Sequence, residues 1–172
     1  AGDDERQYGR GGLPDYNRLG YVSTDYERGC SRTFEYSAND YAIAVLAKGL
    51  GRTDVYNEYV RKASNWKNLW NPGISSFGFS GFAWPRNSDG TWLDDPEFTV
   101  FSSGSFDHQF YETFSWELSS YVPHDVNALI DKMGGREKFI DRLDTYFRES
   151  FPGKRDELLF YTKLVGLCQI SN

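Results

Sequence analysis

Residues 110–135, FYETFSWELSSYVPHDVNALIDKMGG, join a run of carboxylates and aromatic rings to an amphipathic helix. After residue 124 the apolar side chains recur at helical spacing, which predicts a helix over 124–133. The glycine pair that ends the stretch is followed by a second apolar stripe, which predicts a helix over 136–149. This part of the chain is therefore expected to be helical.

Similar apolar spacing predicts two earlier helices, over 38–50 and 54–70, with Ser37 as the N-terminal cap of the first. A short glycine-containing turn joins them into a helical hairpin. Residues 73–110 alternate glycine, serine, proline and aromatic side chains without a helical period, which favours short strands with a turn at Ser88–Gly90. The expected fold is mainly α, built of helical hairpins with an irregular or short-strand insertion.

The chain of 172 residues is long enough for one domain with a sizeable core, because a chain of this length buries roughly 70% of its unfolded surface. We therefore predict that residues 1–172 form a single domain. Residues 1–12 are polar and rich in glycine and are expected to form an arm that orders only against a neighbour. Residues 13–30 contain proline, glycine and tyrosine and predict an extended loop. A last helix is predicted over 156–169, within a C-terminal tail at 152–172.

The formal net charge of −6 and the pI near 4.9 argue against nucleic-acid binding, which depends on lysine and arginine contacts to phosphate. No stretch approaches the roughly 20 apolar residues of a membrane span, so no membrane partner is expected. The N-terminus lacks the regions of a signal peptide, and a leader was either removed or never present. Cys30 and Cys168 fit no metal motif. Two alternatives stay open for them: they form a disulfide with each other, or both are buried free thiols.

The strongest candidate site contains Glu112, Trp116, His124 and Asp125, because a helical segment between them would bring a carboxylate, an indole and a His-Asp pair into one pocket. Sugar rings stack their C–H faces on aromatic side chains, and their hydroxyl groups bind charged or polar groups. A structural interpretation is also open. In it, Trp116 and Tyr121 are core aromatics, Glu112 is a charge favoured at a helix N-terminus, and His124 is a cap.

The spacing of these residues resembles glycoside hydrolase family 92, the calcium-dependent exo-acting α-mannosidases. The shared pattern is Tyr-Glu at 111–112, tryptophan at 116 and Val-Pro-His-Asp at 122–125. Three upstream motifs stand in the family's order, namely Arg-Leu-Gly-Tyr-Val at 18–22, Ser-Arg-Thr-Phe-Glu-Tyr at 31–36 and Pro-Arg-Asn-Ser-Asp-Gly-Thr-Trp at 85–92. Four motifs in register, between Gly11 and Phe147, are far more specific than any one of them.

The resemblance implies an inverting glycosidase that removes terminal α-linked mannose from a glycan, in the manner of α-1,2-mannosidases. Glu112 matches the residue that serves as the general acid. The positions expected to bind mannose in one cleft with it are Arg32, Glu35, Trp116, His124 and Asp125. A calcium ion is implied as the cofactor, with no ligands assigned, and a secreted or extracytoplasmic location is implied as well. An ion pair between Arg32 and Glu35 is the structural alternative.

Family members are several times longer, with an N-terminal β-sandwich and an (α/α)6 toroid, and this chain resembles only the first part of the toroid. The family's Gly-Asn-Glu-Pro run is not found, so the resemblance fails over residues 152–172. The family's general-base aspartates lie beyond the matched region. Two hypotheses follow, a partial mannosidase chain that another chain completes, or an inactive carbohydrate-binding or structural remnant.

Three expectations follow from the mannosidase hypothesis. The predicted helices cannot close a toroid of twelve, so one apolar face should be exposed or covered by another chain. As a general acid, Glu112 should be shielded from solvent by Tyr111 and Trp116, because desolvation raises the pKa of a carboxylic acid. The chain alone should not hydrolyse glycosides, because it lacks the second carboxylate that activates water.

Overall fold

The computed structural model describes residues 9–102 and 109–149, about half of which are helical. In chain order the elements are α1 (Leu13–Leu19), α2 (Gly29–Gly49), α3 (Thr53–Lys62), a 3-10 turn (Asn65–Leu69), β1 (Trp70–Ser76), β2 (Phe79–Ala83), α4 (Ser115–Leu118), α5 (Val126–Lys132) and α6 (Arg136–Glu149). Helices with a short-strand insertion are therefore confirmed, and the described residues do not form a complete toroid. The helix predicted over 156–169 lies outside them.

The last two helices lie where their apolar spacing predicts them. Gly134 and Gly135 separate α5 from α6, and both have a positive φ that a side chain would disfavour. Leu129 and Met133 pack in the core, with Phe139 of α6 against them. In this region the spacing of apolar residues and the position of the glycines are sufficient to locate both helices.

The residues before α1 are more ordered than predicted. The guanidinium of Arg10 donates to the buried carboxylate of Asp40 at 2.6 Å. The carbonyl of Gly11 accepts a hydrogen bond from the hydroxyl of Tyr36 at 3.1 Å. Because both partners belong to α2, residues 9–12 are fixed to this chain's own helix, and the expectation of an arm that orders only against a neighbour is wrong for them.

Helix α1 replaces part of the extended loop predicted for residues 13–30. Pro14 stands in the first turn, where the N–H that proline lacks has no helical partner. Gly20 ends the helix with a φ of 77°, and its N–H donates to the carbonyl of Tyr16 at 3.1 Å. The proline and the glycine are thus the start and stop signals of a short helix.

Helix α2 begins well before the predicted start at residue 38. Its free N-terminal amides are capped by a distant residue, because the carbonyl of Gln109 accepts hydrogen bonds from Cys30 and Ser31 at 3.1 and 3.4 Å. Ser37 lies inside the helix, where its hydroxyl donates to the carbonyl of Thr33 at 2.8 Å. The prediction of Ser37 as the cap is therefore wrong.

The predicted helix over 54–70 ends early, at Lys62. Trp66 and Leu69 still face the core, but they do so from the 3-10 turn. The chain then enters the sheet, where Trp70 is paired with Ala83 and the carbonyl of Leu69 accepts a hydrogen bond from Trp84 at 2.8 Å. Because the backbone N–H and C=O groups here pair with β2, they are not available for the hydrogen bonds of a longer helix.

Strands β1 and β2 form an antiparallel hairpin within the segment predicted to contain short strands. Its turn is Phe77–Gly78, and both residues have a positive φ, as two-residue hairpin turns require. The turn predicted at Ser88–Gly90 is also present. There the N–H of Gly90 donates to the carbonyl of Asn87 at 2.9 Å, and Arg86 pairs with Trp92 across it.

The core has two parts. The main core lies between α2, the 3-10 turn and α5, and its larger members are Phe34, Trp66, Leu69, Phe110 and Leu129. The aromatic core lies against the hairpin and α6 and consists of Phe82, Trp84, Val100, Trp116 and Tyr146. Cys30 is a free thiol in the main core, and burial raises its pKa. Cys168 lies outside the described residues.

One face of α2 is apolar and open to solvent. Its side chains Tyr41, Val45, Leu46 and Leu50 are between 41% and 68% exposed. These are the residues whose spacing predicted the helix, so the partial bundle has the exposed apolar face that was expected of it. Across residues 9–102 and 109–149, no helix has the length and apolar character to cross a bilayer.

Candidate active site

Glu112 lies on a short non-helical segment, a series of bends over residues 109–113, that crosses the N-terminal end of α2. The carbonyl of Gln109 caps the helix, and the backbone N–H of Tyr111 donates to the hydroxyl of Ser31 at 2.9 Å. Gly29 allows this close crossing, because an added Cβ would lie 2.6 Å from Oε1 of Gln109. The position of Glu112 is therefore set by the start of α2.

The Glu112 side chain is exposed, and its backbone has a φ of 51°. Non-glycine residues rarely adopt this left-handed conformation, because Cβ crowds the following carbonyl oxygen. Tyr111 lies beside Glu112, and the pKa of Tyr111 is raised by partial desolvation and then by the charge and hydrogen bonding of Glu112. The guanidinium of Arg28 lies 4.4 Å from the centre of the Tyr111 ring. The expected shielding of Glu112 from solvent is wrong for this chain.

Glu35 lies one turn after Ser31 on α2, and residues so spaced share a helix face. Its side chain reaches solvent, and desolvation by its surroundings raises the pKa of the carboxyl. Its charge contributes, after burial, to the raised pKa of Tyr121, which places the Tyr121 ring near it. Within the described residues Glu35 has no hydrogen-bond or ion-pair partner.

Arg32 and Glu35 do not form the ion pair that the structural alternative required. The Arg32 guanidinium lies instead over Gly11, where an added Cβ would meet Nη1 at 2.5 Å. Its charge lowers the pKa of Tyr36, although burial leaves that pKa raised on balance. The charge of Glu35 also acts on Tyr36, in the opposite direction, so the two side chains lie near one tyrosine without pairing.

Trp116 is a core residue. It is only 2% exposed and lies at the centre of the aromatic core. Ring centroids of Phe82, Phe101 and Tyr146 lie 5.2, 5.6 and 6.4 Å from it. Because its faces are covered, it offers no free ring for a sugar to stack on, and its predicted place in the cleft is wrong for this chain.

His124 and Asp125 connect the start of α5 to the end of α3. Nε2 of His124 lies 2.8 Å from the carbonyl oxygen of Ala63, and its ring centroid is 5.7 Å from that of Tyr41. Asp125 forms an ion pair with Lys67 at 3.1 Å. Nδ1 of His124 is buried and unpaired within the described residues. No contact between described residues joins this pair to Glu112.

The six predicted site residues therefore fall in three places. Glu112, Arg32 and Glu35 belong to the N-terminal half of α2 and the segment that crosses it. Trp116 is in the aromatic core, and His124 and Asp125 are at the end of α3. In residues 9–102 and 109–149, no group of three or more His, Cys, Asp or Glu side chains is arranged to hold a metal ion. We assign no calcium ligand among them.

The two residues that hold the segment around Glu112 in place, Ser31 and Gln109, are not among the predicted site residues. Ser31 stands in a quoted motif, but its hydrogen bond is to Tyr111, 80 positions away in the chain. Gln109 caps α2 from a similar distance. Local spacing contains no signal for either contact. The glycine at position 29 is a weak hint, because an added Cβ there would lie 2.6 Å from the Gln109 side chain and 2.7 Å from the Val22 carbonyl oxygen.

A model of the glycosyl hydrolase family 92 catalytic domain matches residues 1–172. A protein from the fungus Arthroderma benhamiae, called an uncharacterized secreted glycosidase, is 40% identical, and the match covers 83% of this chain and 21% of that protein.

Two solved structures from Bacteroides thetaiotaomicron are also similar. One is an inverting mannosidase of family 92, with 35% identity and a TM-score of 0.69 over 80% of this chain and 17% of that one. The other is an α-mannosidase of the same family in complex with mannoimidazole, with 32% identity and a TM-score of 0.70 over 79% of this chain and 18% of that one.

These matches define the chain as part of a glycosidase catalytic domain. It belongs to glycosyl hydrolase family 92. The resemblance stated on its motifs is thereby confirmed. The family model also covers residues 152–172, where the resemblance was expected to fail, so that expectation is wrong. The chain spans only about a fifth of the length of the relatives it matches.

Proposed function

We propose that this chain is the part of an exo-acting α-mannosidase that supplies the general acid, Glu112. The observation that carries the proposal is the placement of Glu112 in solvent, on a left-handed backbone, beside the hydroxyl-bearing ring of Tyr111. Strained backbone of this kind is concentrated at functional sites. The similar bacterial proteins are described as mannosidases, one of them inverting and one in complex with mannoimidazole.

In this mechanism Glu112 protonates the glycosidic oxygen as the bond to the leaving group breaks. A second carboxylate removes a proton from water on the opposite face of the sugar, roughly 6.5–9.5 Å from the acid in inverting enzymes. We assign that base to none of the described residues, because the resemblance places it beyond the matched region. The 172-residue chain alone is therefore expected to show no hydrolysis of mannosides.

Glu35 and Arg32 are proposed to bind mannose hydroxyl groups on the same side of α2. Glu35 supports this role because its carboxylate is open to solvent and has no partner among the described residues. A sugar hydroxyl that donates to this carboxylate would provide the hydrogen bond that it lacks. His124 and Asp125 hold α5 in place in this chain, and a direct contact with substrate remains a prediction for them.

A general acid must keep its proton near the operating pH, and burial is one way to raise its pKa. Glu112 is exposed in this chain, so we propose that bound substrate and other parts of the catalytic domain shield it. We also propose a secreted protein that acts on mannose-containing glycans, with calcium as its cofactor. The relative from Arthroderma benhamiae, called secreted, supports the location.

The test is Glu112→Gln in a polypeptide that contains this chain within a complete catalytic domain. We expect turnover of an α-1,2-linked mannobioside to fall by about two to four orders of magnitude, as for the loss of general acid catalysis. Turnover of 2,4-dinitrophenyl α-mannoside should fall much less, because this leaving group needs no proton.

The matched control is Glu117→Gln, five positions further along the same stretch. Glu117 accepts a hydrogen bond from the Thr113 hydroxyl at 2.9 Å and lies beside the aromatic core. Glu117→Gln should change turnover of the mannobioside and of the dinitrophenyl mannoside by less than about threefold. Equal losses of Glu112→Gln on the two substrates would remove Glu112 from the role of acid.

A further inference from the structure

The left-handed backbone at Glu112 needs support from both sides. A residue with a φ of 51° relaxes to an ordinary conformation unless neighbouring contacts prevent it. The position of a catalytic carboxylate also has to be accurate, because a displacement of about 1 Å can lower a rate on the order of 100-fold. Residues that contact the backbone on either side of Glu112 can therefore affect the reaction without touching the substrate.

The support after Glu112 comes from α4 and the end of β2. The Ser115 hydroxyl donates to the carbonyl of Ala83, and the backbone N–H of Ala83 donates to the Ser119 hydroxyl at 2.8 Å. Both serines are buried. These bonds fix α4 to the sheet, so the chain cannot shift on the C-terminal side of Glu112.

The support before Glu112 comes from α2. The backbone N–H of Tyr111 donates to Ser31 Oγ at 2.9 Å, and Ser31 is 6% exposed. Two residues earlier, Gln109 is held by the helix amides and by its own side-chain amide, which donates to the carbonyl of Tyr26 at 3.0 Å. The bond to Ser31 therefore holds the backbone of the residue directly before the left-handed one.

We propose that Ser31 is a positioning residue for Glu112. Its hydroxyl oxygen fixes the amide directly before Glu112 and so holds the carboxylate where it can protonate the leaving group. This inference rests on the proposed role of Glu112 as the acid. Without the Ser31 hydroxyl, residues 111 and 112 relax toward ordinary dihedral angles, and the carboxylate moves away from the glycosidic oxygen. Ser31 itself does not touch the substrate.

The test compares Ser31→Ala with Ser37→Ala in a complete catalytic domain. Ser37 is the matched control because it is a buried serine of the same helix, whose hydroxyl donates to the carbonyl of Thr33 and also lies beside the hydroxyl of Tyr16. The readout is the ratio of kcat/KM on an α-1,2-mannobioside to kcat/KM on 2,4-dinitrophenyl α-mannoside. Both rates come from one sample, so a loss of folded protein cancels from the ratio.

Ser31→Ala is expected to lower this ratio by about 10- to 100-fold, with little change in KM, because only the reaction that needs a proton suffers. Ser37→Ala should leave the ratio within about twofold. Ser31→Thr keeps a hydroxyl oxygen at the same atom and should restore most of the ratio. Ser31→Cys, which fills the site with a weak acceptor, replaces Ser31→Ala if that variant does not fold.

An unchanged ratio in Ser31→Ala, together with a lowered ratio in Glu112→Gln, would overturn the inference and leave the role of Glu112 intact. An unchanged ratio in Glu112→Gln would overturn both. The two failures are therefore distinguished by the same pair of substrates.

Discussion

Glu112 and Trp116 are four residues apart, and they lie in opposite environments. Glu112 is in solvent, on a strained backbone, with few side chains around it. Trp116 is enclosed by aromatic rings and by the guanidinium of Arg142, which lies 5.6 Å from the centre of its ring. The change from exposed to buried side chains begins at Thr113, which is buried, and continues into α4. One short stretch thus contains both a candidate catalytic residue and a residue that stabilises the folded core.

The difference shows why aromatic residues beside a carboxylate are weak evidence for a sugar site. In sequence, the indole and the carboxylate suggest the wall and the acid of one pocket. In the structure, the indole packs against Phe82 of the hairpin and Tyr146 of α6. The structural interpretation of Trp116 as a core aromatic was the better one, whereas Glu112 is free of any structural partner of opposite charge among the described residues.

The largest expected difference between Glu112 and Trp116 is in the free energy of unfolding that each contributes. Trp116→Ala should lower the free energy of unfolding by about 3–5 kcal/mol, because it empties the centre of the aromatic core. Glu112→Ala should change the free energy by less than about 0.5 kcal/mol, as expected for an exposed side chain. Urea denaturation followed by tryptophan fluorescence or circular dichroism measures both. A small loss in Trp116→Ala would mean that the indole is not a core residue.

The second prediction concerns Glu117, whose pKa is raised because burial desolvates its carboxylate. A carboxyl with a raised folded-state pKa binds its proton more tightly than in the unfolded chain. Its ionisation therefore reduces stability as pH rises from the unfolded-state pKa through the folded one. Glu117→Gln should raise the free energy of unfolding at pH 7, by up to about 1 kcal/mol, and have little effect near pH 4.

The control for this pH effect is Glu112→Gln, a change of the same kind at an exposed position. It should alter stability by less than about 0.5 kcal/mol at both pH values. A similar gain in both variants at pH 7 would mean that general charge repulsion, and not burial of Glu117, is the cause.

The smallest expected effect comes from the strained backbone. Glu112→Gly should leave the free energy of unfolding unchanged or raise it by up to about 1 kcal/mol, because glycine adopts a positive φ without steric cost. Thr113→Gly, at the next residue, has no positive φ to relieve and should lose about 1 kcal/mol or more. A clear loss in Glu112→Gly would show that the left-handed backbone at Glu112 is not strained.

Much of the fold could be predicted because its signals are local. Helix α6 has the predicted bounds, and the hairpin lies in the segment without helical period. The errors in the bounds of α2 and α3 share one cause, which is a backbone partner outside the helix. Helix α2 is longer because Gln109 caps it, and α3 is shorter because Trp70 pairs with β2. Neither partner is visible in a window of one or two helical turns.

The candidate site was predictable to a lesser degree. The family motifs identified Glu112, Arg32 and Glu35, which the structure places on and across the first half of α2. Sequence order could not show which way Trp116 points, because the turn between it and Glu112 depends on the left-handed backbone at residue 112. It also could not show that His124 and Asp125 contact Ala63 and Lys67.

Gly29 places a limit on how this protein can evolve. A methyl group there would lie within 3.0 Å of the Val22 carbonyl, the Ser23 carbonyl and the Gln109 side chain, and two of these atoms belong to backbone. Every single-base change that alters a glycine codon adds a side chain or stops translation. Every such change at position 29 therefore places new atoms against these neighbours. A deep mutational library should recover glycine alone at position 29.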